Sequence, residues 1–270
     1  DSLDIELVVI FFALLAGILA GDKPQETFGT NASPEDFAAL SAANFIPADR
    51  TLNFFTPTLV NTGAELVLFD TGLAAEGTLA ALTAAGITPD QVDIVILTHM
   101  HGDHIGGLMG ADGTTPTFAN ARYMTGATEH NYWSGAANEG FDKNVKPLND
   151  KITFLDTNGS VTTGITGMDA FGHSPGHMVY HVESDGQRLM ITADTANHYV
   201  WSLQKPDWDV RFDADKPAAA AVRKQVFGQI AADRIPFIGY HMPFPGVGYI
   251  EAREAGFHFV PASYQLMLNG

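Results

Sequence analysis

The segment Val92-Asp93-Ile94-Val95-Ile96-Leu97-Thr98 runs straight into His99-Met100-His101-Gly102-Asp103-His104, and this junction constrains the fold more than any other part of the chain. A nearly continuous apolar run of that length reads as a strand covered on both faces, the kind found in layered α/β proteins. Three histidines and an aspartate follow it within six positions. Gly102 permits the tight turn that lets them converge on a small volume. Imidazole with carboxylate suits Zn²⁺, Mn²⁺, Fe or Co²⁺, whereas a calcium site is built from oxygen. The segment reads as a metal site.

Composition narrows what surrounds it. The chain has 270 residues, 46% of them apolar and 17% charged, which is enough to bury a large core. No repeat, long linker or composition break divides it, so residues 1–270 read as one α/β domain with a layered β core. There is no cysteine, which excludes a disulfide scaffold, a thiolate zinc finger, an iron–sulfur cluster and a cysteine nucleophile. Any metal must sit on His, Asp or Glu. With 14 basic against 31 acidic side chains the formal charge is −17, a field that repels phosphate backbones and anionic headgroups. Nucleic acid and membrane are therefore not expected as partners. The cellular compartment is left open.

Short β-rich runs alternate with Ala-rich helical stretches. Leu59–Val60, the Asn61-Thr62-Gly63 turn and Glu65 to Asp70 read as a hairpin. Thr78 to Ala85 reads as a helix, stopped by Gly86 and followed by Pro89. Further strands are expected at 121–124, 152–154, 165–171, 178–183, 188–193 and 236–240, and a helix at 218–232. The uncharged run Leu7 to Ala20 is too short to span a bilayer. Its flanks Asp1, Asp4 and Glu6 are acidic where a signal peptide wants basic residues. It reads as a buried strand or strand pair opening the domain, with a secretory remnant as the alternative.

Three more metal-binding residue types stand at strand ends. His177 closes the turn Ser174-Pro175-Gly176, Asp194 follows Arg188 to Ala193, and His241 follows Pro236 to Tyr240. A carboxylate at a strand end can bridge two ions, which then share a hydroxide. Each residue alone would pass as a cap or turn residue; jointly they point to a second metal. Asp70, before Thr71-Gly72, could hold the free nitrogen of a ligand histidine or simply stabilise its turn. No Gly-x-Ser-x-Gly elbow supports a serine nucleophile.

The HxHxDH pattern resembles that of the metallo-β-lactamase-fold hydrolases, and the likeness covers roughly residues 55 to 265. Within that superfamily the chain is most similar to the methyl parathion hydrolase-like and lactonase group, through VNTGAELVLFDTG, THMHGDHIGGL, FGHSPGHMVYHVES, YHMPFPGVGYIEA and GFHFVPASYQL. The resemblance implies an αβ/βα sandwich, two β-sheets flanked by helices, with the metals at one edge. It implies His99, His101 and His177 as ligands of one divalent ion, Asp103, His104 and His241 of the other, and Asp194 as the bridge. Zinc is the expected metal, with manganese, iron and cobalt accepting the same donors.

A dinuclear hydrolase follows, with a shared hydroxide attacking a lactone or aryl ester and Asp194 or Asp103 taking up the proton. The alternatives are organophosphate triesters and, further off, β-lactams. The stretch after Gly72 is several residues shorter than in the organophosphate hydrolases, which weighs against triesters. Trp133, in a segment similar to one lining that group's pocket, is expected on the substrate wall, with Phe141 and Trp201 as further candidates. His130, His173, His181, His198 and His258 fall outside the motif and read as structural. The acidic surface favours a small neutral substrate, and the related hydrolases suggest a homodimer.

Overall fold

A computed structural model of the chain describes residues 10–253 and 255–263. The first half supplies β1 (Ile10–Ala13), β2 (Gly17–Asp22), β3 (Arg50–Phe55), β4 (Thr58–Asn61), β5 (Leu66–Phe69), β6 (Ile94–Leu97), β7 (Arg122–Gly126) and β8 (Ile152–Leu155). Six of these form one sheet in the order β1-β4-β5-β6-β7-β8, while β2 and β3 pair as a separate ribbon. The second half supplies β9 (Ser160–Thr162), β10 (Ile165–Asp169), β11 (Met178–Ser184), β12 (Gln187–Ala193), β13 (Phe237–Gly239), β14 (Val247–Arg253) and β15 (Gly256–Pro261). They form a second sheet, ordered β15-β14-β13-β12-β11-β10-β9.

Side-chain alternation explains why the sheets stack. Val67, Phe69, Ile94 and Ile96 face a shared core with Tyr180, Val182, Ile191 and Ile238 of the second sheet. Leu68, Val95 and Leu97 point the other way, into a layer with Leu82, Phe118 and Phe141. The apolar run before His99 is therefore buried on both faces, as its composition requires. Helices α1 (Pro34–Ala43), α2 (Ala75–Ala84), α3 (Gly102–Ile105), α4 (Ala127–Gly135), α5 (Glu139–Asn144) and α6 (Lys216–Asp233) complete the layers. Phe227 and Ile230 of α6 pack on Val179, Met190 and Phe237 of the second sheet. The expected sandwich is present, with mixed sheets: β5, β6, β7 and β8 run parallel, and β12 runs parallel to β13.

The opening run departs from expectation. Leu7 to Val9 lie outside the described residues, and the remainder does form two strands, but they are not buried. Ile18 and Leu19 of β2 are each 54% exposed. The reason is topological: β1 is the outermost strand of its sheet, and β2 pairs only with β3, register Gly17↔Phe55 to Asp22↔Arg50, outside both stacked sheets.

Candidate metal centre

The strand β6 ends where the chain must turn. Asp70, directly after β5 and in the left-handed region at φ 61°, accepts the Thr98 backbone N–H at 2.9 Å and the Thr98 hydroxyl at 2.8 Å. The chain then loops through His99 to His101 and enters the single turn α3, with His104 N bonding back to His101 O at 3.0 Å. Gly107 lets this turn lie on the Thr71 loop, because a Cβ there would stand 2.1 Å from Thr71 O. His99 and His101 so project from the loop while Asp103 and His104 project from the turn, all beyond the C-terminal end of β6, an interior strand of its sheet.

Two groups of metal-binding atoms converge there. One comprises His99, His101 and His173, and the other Asp103, His104, Asp194 and His241, with the atoms of each group within 4.8 Å of one another. His101 Nδ1 lies 3.0 Å from His99 Nε2 and 2.9 Å from His173 Nε2. Asp194 reaches both groups: Oδ1 is 3.2 Å from His104 Nε2, and Oδ2 is 3.2 Å from His241 Nε2 and 3.3 Å from His173 Nε2. That is the placement a bridging carboxylate needs.

His177 is a correction. The structure places His173, not His177, with His99 and His101. The Ser174-Pro175-Gly176 turn sends the two histidines in different directions. His177 is fully buried behind the cluster, where its Nε2 accepts the Asp194 backbone N–H at 3.1 Å. It fixes the strand end that carries Asp194 from the rear. His173, set aside by sequence reasoning as structural, instead faces the cavity with Asp194 and His241. Both histidines flank one short turn, and only the turn's geometry chooses between them.

Three of the imidazoles are held from behind. Asp70 Oδ2 is 2.8 Å from His104 Nδ1, Asp213 Oδ1 is 2.8 Å from His173 Nδ1, and the Phe54 carbonyl is 2.8 Å from His241 Nδ1. Asp213 is in turn paired with Arg223 at 3.0 Å, whose buried guanidinium also donates to Thr195 O and Pro206 O. Tyr240 stacks on His104 at 4.0 Å between ring centroids and donates its hydroxyl to Asp103 O at 2.6 Å. Such partners fix the tautomer and leave the other ring nitrogen aimed into the site.

The residues fit a pair of cations. Buried His104 Nε2 and Asp194 Oδ1 face each other at 3.2 Å, yet neither makes a hydrogen bond, an expensive arrangement unless an ion satisfies both. Protonation equilibria show the same pull. Burial lowers His104, but the carboxylates of Asp194, Asp70 and Asp103 outweigh it and raise it well above the usual imidazole range. Burial is likewise overcome at His241, raised to about 10 by Asp194 and Asp103, and at His173, raised to about 9 by Asp194 and Asp213. In the other direction, burial and the neighbouring His173 take His101 down to about 4. Around Asp194 and Asp103 negative charge is concentrated that positive charge must balance.

A cavity of about 540 Å³ opens over the two groups. His101, Asp103, His173, Asp194 and His241 line its base, and Leu19, Phe28, Phe55, Leu73 and Phe212 give it apolar walls with Arg211 beside them. The β2–β3 ribbon, through Leu19 and Phe55, thus forms part of the wall that sequence reasoning assigned to aromatic residues elsewhere. Phe141 is packed among Leu82, Phe118 and Leu148, and Trp201 among Phe28, Phe37 and Val210 with its N–H on Ser41 Oγ at 2.9 Å. Neither lines the cavity. Trp133 stands edge-on to His101 at 5.6 Å, yet its N–H is turned to Glu129 Oε1 at 2.6 Å and it too is absent from the wall. All three are large and apolar, and core packing claimed them.

Comparison with known proteins agrees with this architecture. Residues 56–228 match the model of the metallo-beta-lactamase superfamily, so the chain belongs to that superfamily. Among curated relatives, a probable metallo-hydrolase of Bacillus subtilis (strain 168), YybB, is 30% identical over 145 residues, covering 50% of this chain and 59% of that protein. A ribonuclease Z of Pyrococcus furiosus is 45% identical over 49 residues, covering 18% of this chain and 15% of that protein. The chain thus spans less than two thirds of either relative. Among solved structures, AidC, a dizinc quorum-quenching lactonase in complex with a product N-hexanoyl-L-homoserine, superposes with a TM-score of 0.87 at 25% identity, covering 95% of both chains. The hydrolase AbOPH superposes with a TM-score of 0.85 at 21% identity, again over 95% of both chains.

Proposed function

We propose that the chain is a dinuclear metal hydrolase acting on lactones and aryl esters, with lactones as the leading substrates. The observation that carries this reading is Asp194, placed between two imidazole groups at the base of an apolar cavity. On this reading His99, His101 and His173 hold one ion, Asp103, His104 and His241 hold the other, and Asp194 bridges them. Two divalent ions held there, zinc foremost, would supply a hydroxide at neutral pH and polarise an ester carbonyl.

The chain's own residues do the rest. The apolar walls bind the acyl part of the substrate and exclude water from the base of the cavity. Asp103, 22% exposed at its side chain and 3.3 Å from His241 Nε2, and Asp194 are the carboxylates placed to hold a proton released at the reacting centre. Asn197 donates to Asp194 Oδ2 at 2.8 Å and keeps that carboxylate turned to the site.

The lactonase likeness of AidC supports the substrate class. The charge of −17 supports a neutral small molecule over RNA, although ribonuclease Z is among the relatives matched over short stretches. Rates on an N-acyl lactone, an aryl acetate, a phosphotriester and a cephalosporin, measured with zinc-loaded protein, test the reading. The lactone should be turned over fastest by kcat/KM; a dominant triester or cephalosporin rate would sink it.

A further inference from the structure

Glu129 is fully buried in the first turn of α4, and no cation meets it among the described residues. A buried carboxylate in that position is costly unless donors surround it. Here they do, and all but Trp133 of α4 itself come from the two loops that carry the histidines. Met100 N, between His99 and His101, donates to Oε1 at 2.9 Å. Ser174 Oγ, next to His173, lies 2.5 Å from Oε1 and 2.6 Å from Oε2, and Gly176 N donates to Oε2 at 2.8 Å. Trp133 Nε1 donates to Oε1 at 2.6 Å and presents the ring edge to His101. The approach is close: a Cβ on Gly176 would stand 2.1 Å from Glu129 N.

His101 and His173 are 72 residues apart in sequence, yet His101 Nδ1 lies 2.9 Å from His173 Nε2. Glu129 is a tie between them that touches neither ring. The second group, Asp103, His104, Asp194 and His241, is held by Asp70, Tyr240 and Phe54, none of which contacts Glu129. We infer that Glu129 is the positioning residue of the His99/His101/His173 group: its carboxylate sets the separation of the two loops and so tunes one metal position selectively.

The inference rests on the dinuclear reading above, and its test separates the two. Glu129→Gln keeps the shape but replaces one acceptor oxygen with an NH₂ that must face Gly176 N or Met100 N, donor against donor. Ser174→Ala removes one donor and leaves the carboxylate in place, so it decides the matter should Glu129→Gln fail to fold. Both are made in the full chain and in an Asp103→Asn/His241→Asn background, which leaves only the first group able to bind. Chelator-stripped proteins are titrated with zinc against a chromophoric competitor.

The wild type should take up two zinc ions. In Glu129→Gln the dissociation constant of the first group should rise roughly 10–100-fold, the range typical of lost outer contacts. Ser174→Ala should give a smaller rise, about 3–10-fold, at the same group. The other position should stay within about threefold in both variants. Unchanged first-group affinity in folded variants, or equal losses at both positions, overturns the inference while leaving the metal centre standing. A wild type that binds no zinc overturns both.

Discussion

Asp70 Oδ2 lies 2.8 Å from Nδ1 of His104, and the same carboxylate caps the end of β6 through the Thr98 N–H and hydroxyl. One side chain therefore terminates the strand and orients an imidazole. Burial raises the carboxyl above its ordinary range, although His104 and the Thr98 contacts pull against that rise. Asp70→Asn keeps a residue that tolerates the positive φ of 61°, removes the charge, and turns one acceptor oxygen into an NH₂ donor facing Thr98 N or His104 Nδ1. Zinc affinity of the Asp103/His104/His241 group should fall roughly 10–100-fold, read by chelator competition. Wild-type affinity would show that Asp70 serves the turn alone.

The exchange of His177 for His173 gives a direct comparison. His173→Ala should bind one zinc ion where the wild type binds two. His177→Ala should still bind two, and should lose about 1–3 kcal/mol of stability because the buried Asp194 N–H is left without its acceptor. Elemental analysis beside thermal unfolding checks both. The opposite pattern would restore His177 to the first group.

How much of this was legible in the sequence depends on whether a signal was local. The buried strand before His99 and the hairpin at 59–70 announced themselves through apolar periodicity and turn residues. The helix at 218–232 was found nearly entire, as Lys216–Asp233. The Ser33-Pro34 start of α1 was equally readable, with Ser33 Oγ accepting Asp36 N at 3.0 Å, and was passed over. The cavity wall was not legible. Leu19, Phe55 and Phe212 come from distant segments, and nothing in an apolar residue's identity says whether it faces a core or a cavity. The Arg223–Asp213–His173 chain was hidden for the same reason: its members meet only after α6 packs on the second sheet.

The apolar cavity wall predicts substrate range. Leu19→Ala or Phe212→Ala should raise KM for lactones with acyl chains of about six carbons roughly 5–20-fold, at about 0.8 kcal/mol per methylene taken out of contact, and leave small unsubstituted lactones nearly unaffected. Trp201→Phe should leave KM unchanged and lower stability by about 1 kcal/mol through the lost bond to Ser41. Steady-state kinetics on a chain-length series decides; a KM shift in Trp201→Phe would place that residue on the wall after all.

The raised histidines give a pH dependence with a definite sign. In metal-free protein, burial acts against the charged form of His241, but Asp194 and Asp103 raise it to about 10; at His173, Asp194 and Asp213 raise it to about 9. A folded value above the unfolded one, about 6.5, means stability that is fully present below pH 6.5 and lost as pH rises through 9 to 10. The Tm of stripped protein should fall across that window. Zinc must displace those protons, so uptake at pH 8 should release at least about two protons per chain in weakly buffered solution. Release of fewer than one would show that these imidazoles are neutral before zinc arrives.

The central claim is that two ions on this cluster make the cavity a hydrolase. Stripped protein is titrated with zinc while bound metal and opening of an N-acyl lactone are followed in the same sample. Stripped protein should show no turnover, with a rise that is complete only as the second equivalent binds. Turnover unaffected by stripping, or two zinc ions bound with lactone and aryl ester both left intact, would contradict it.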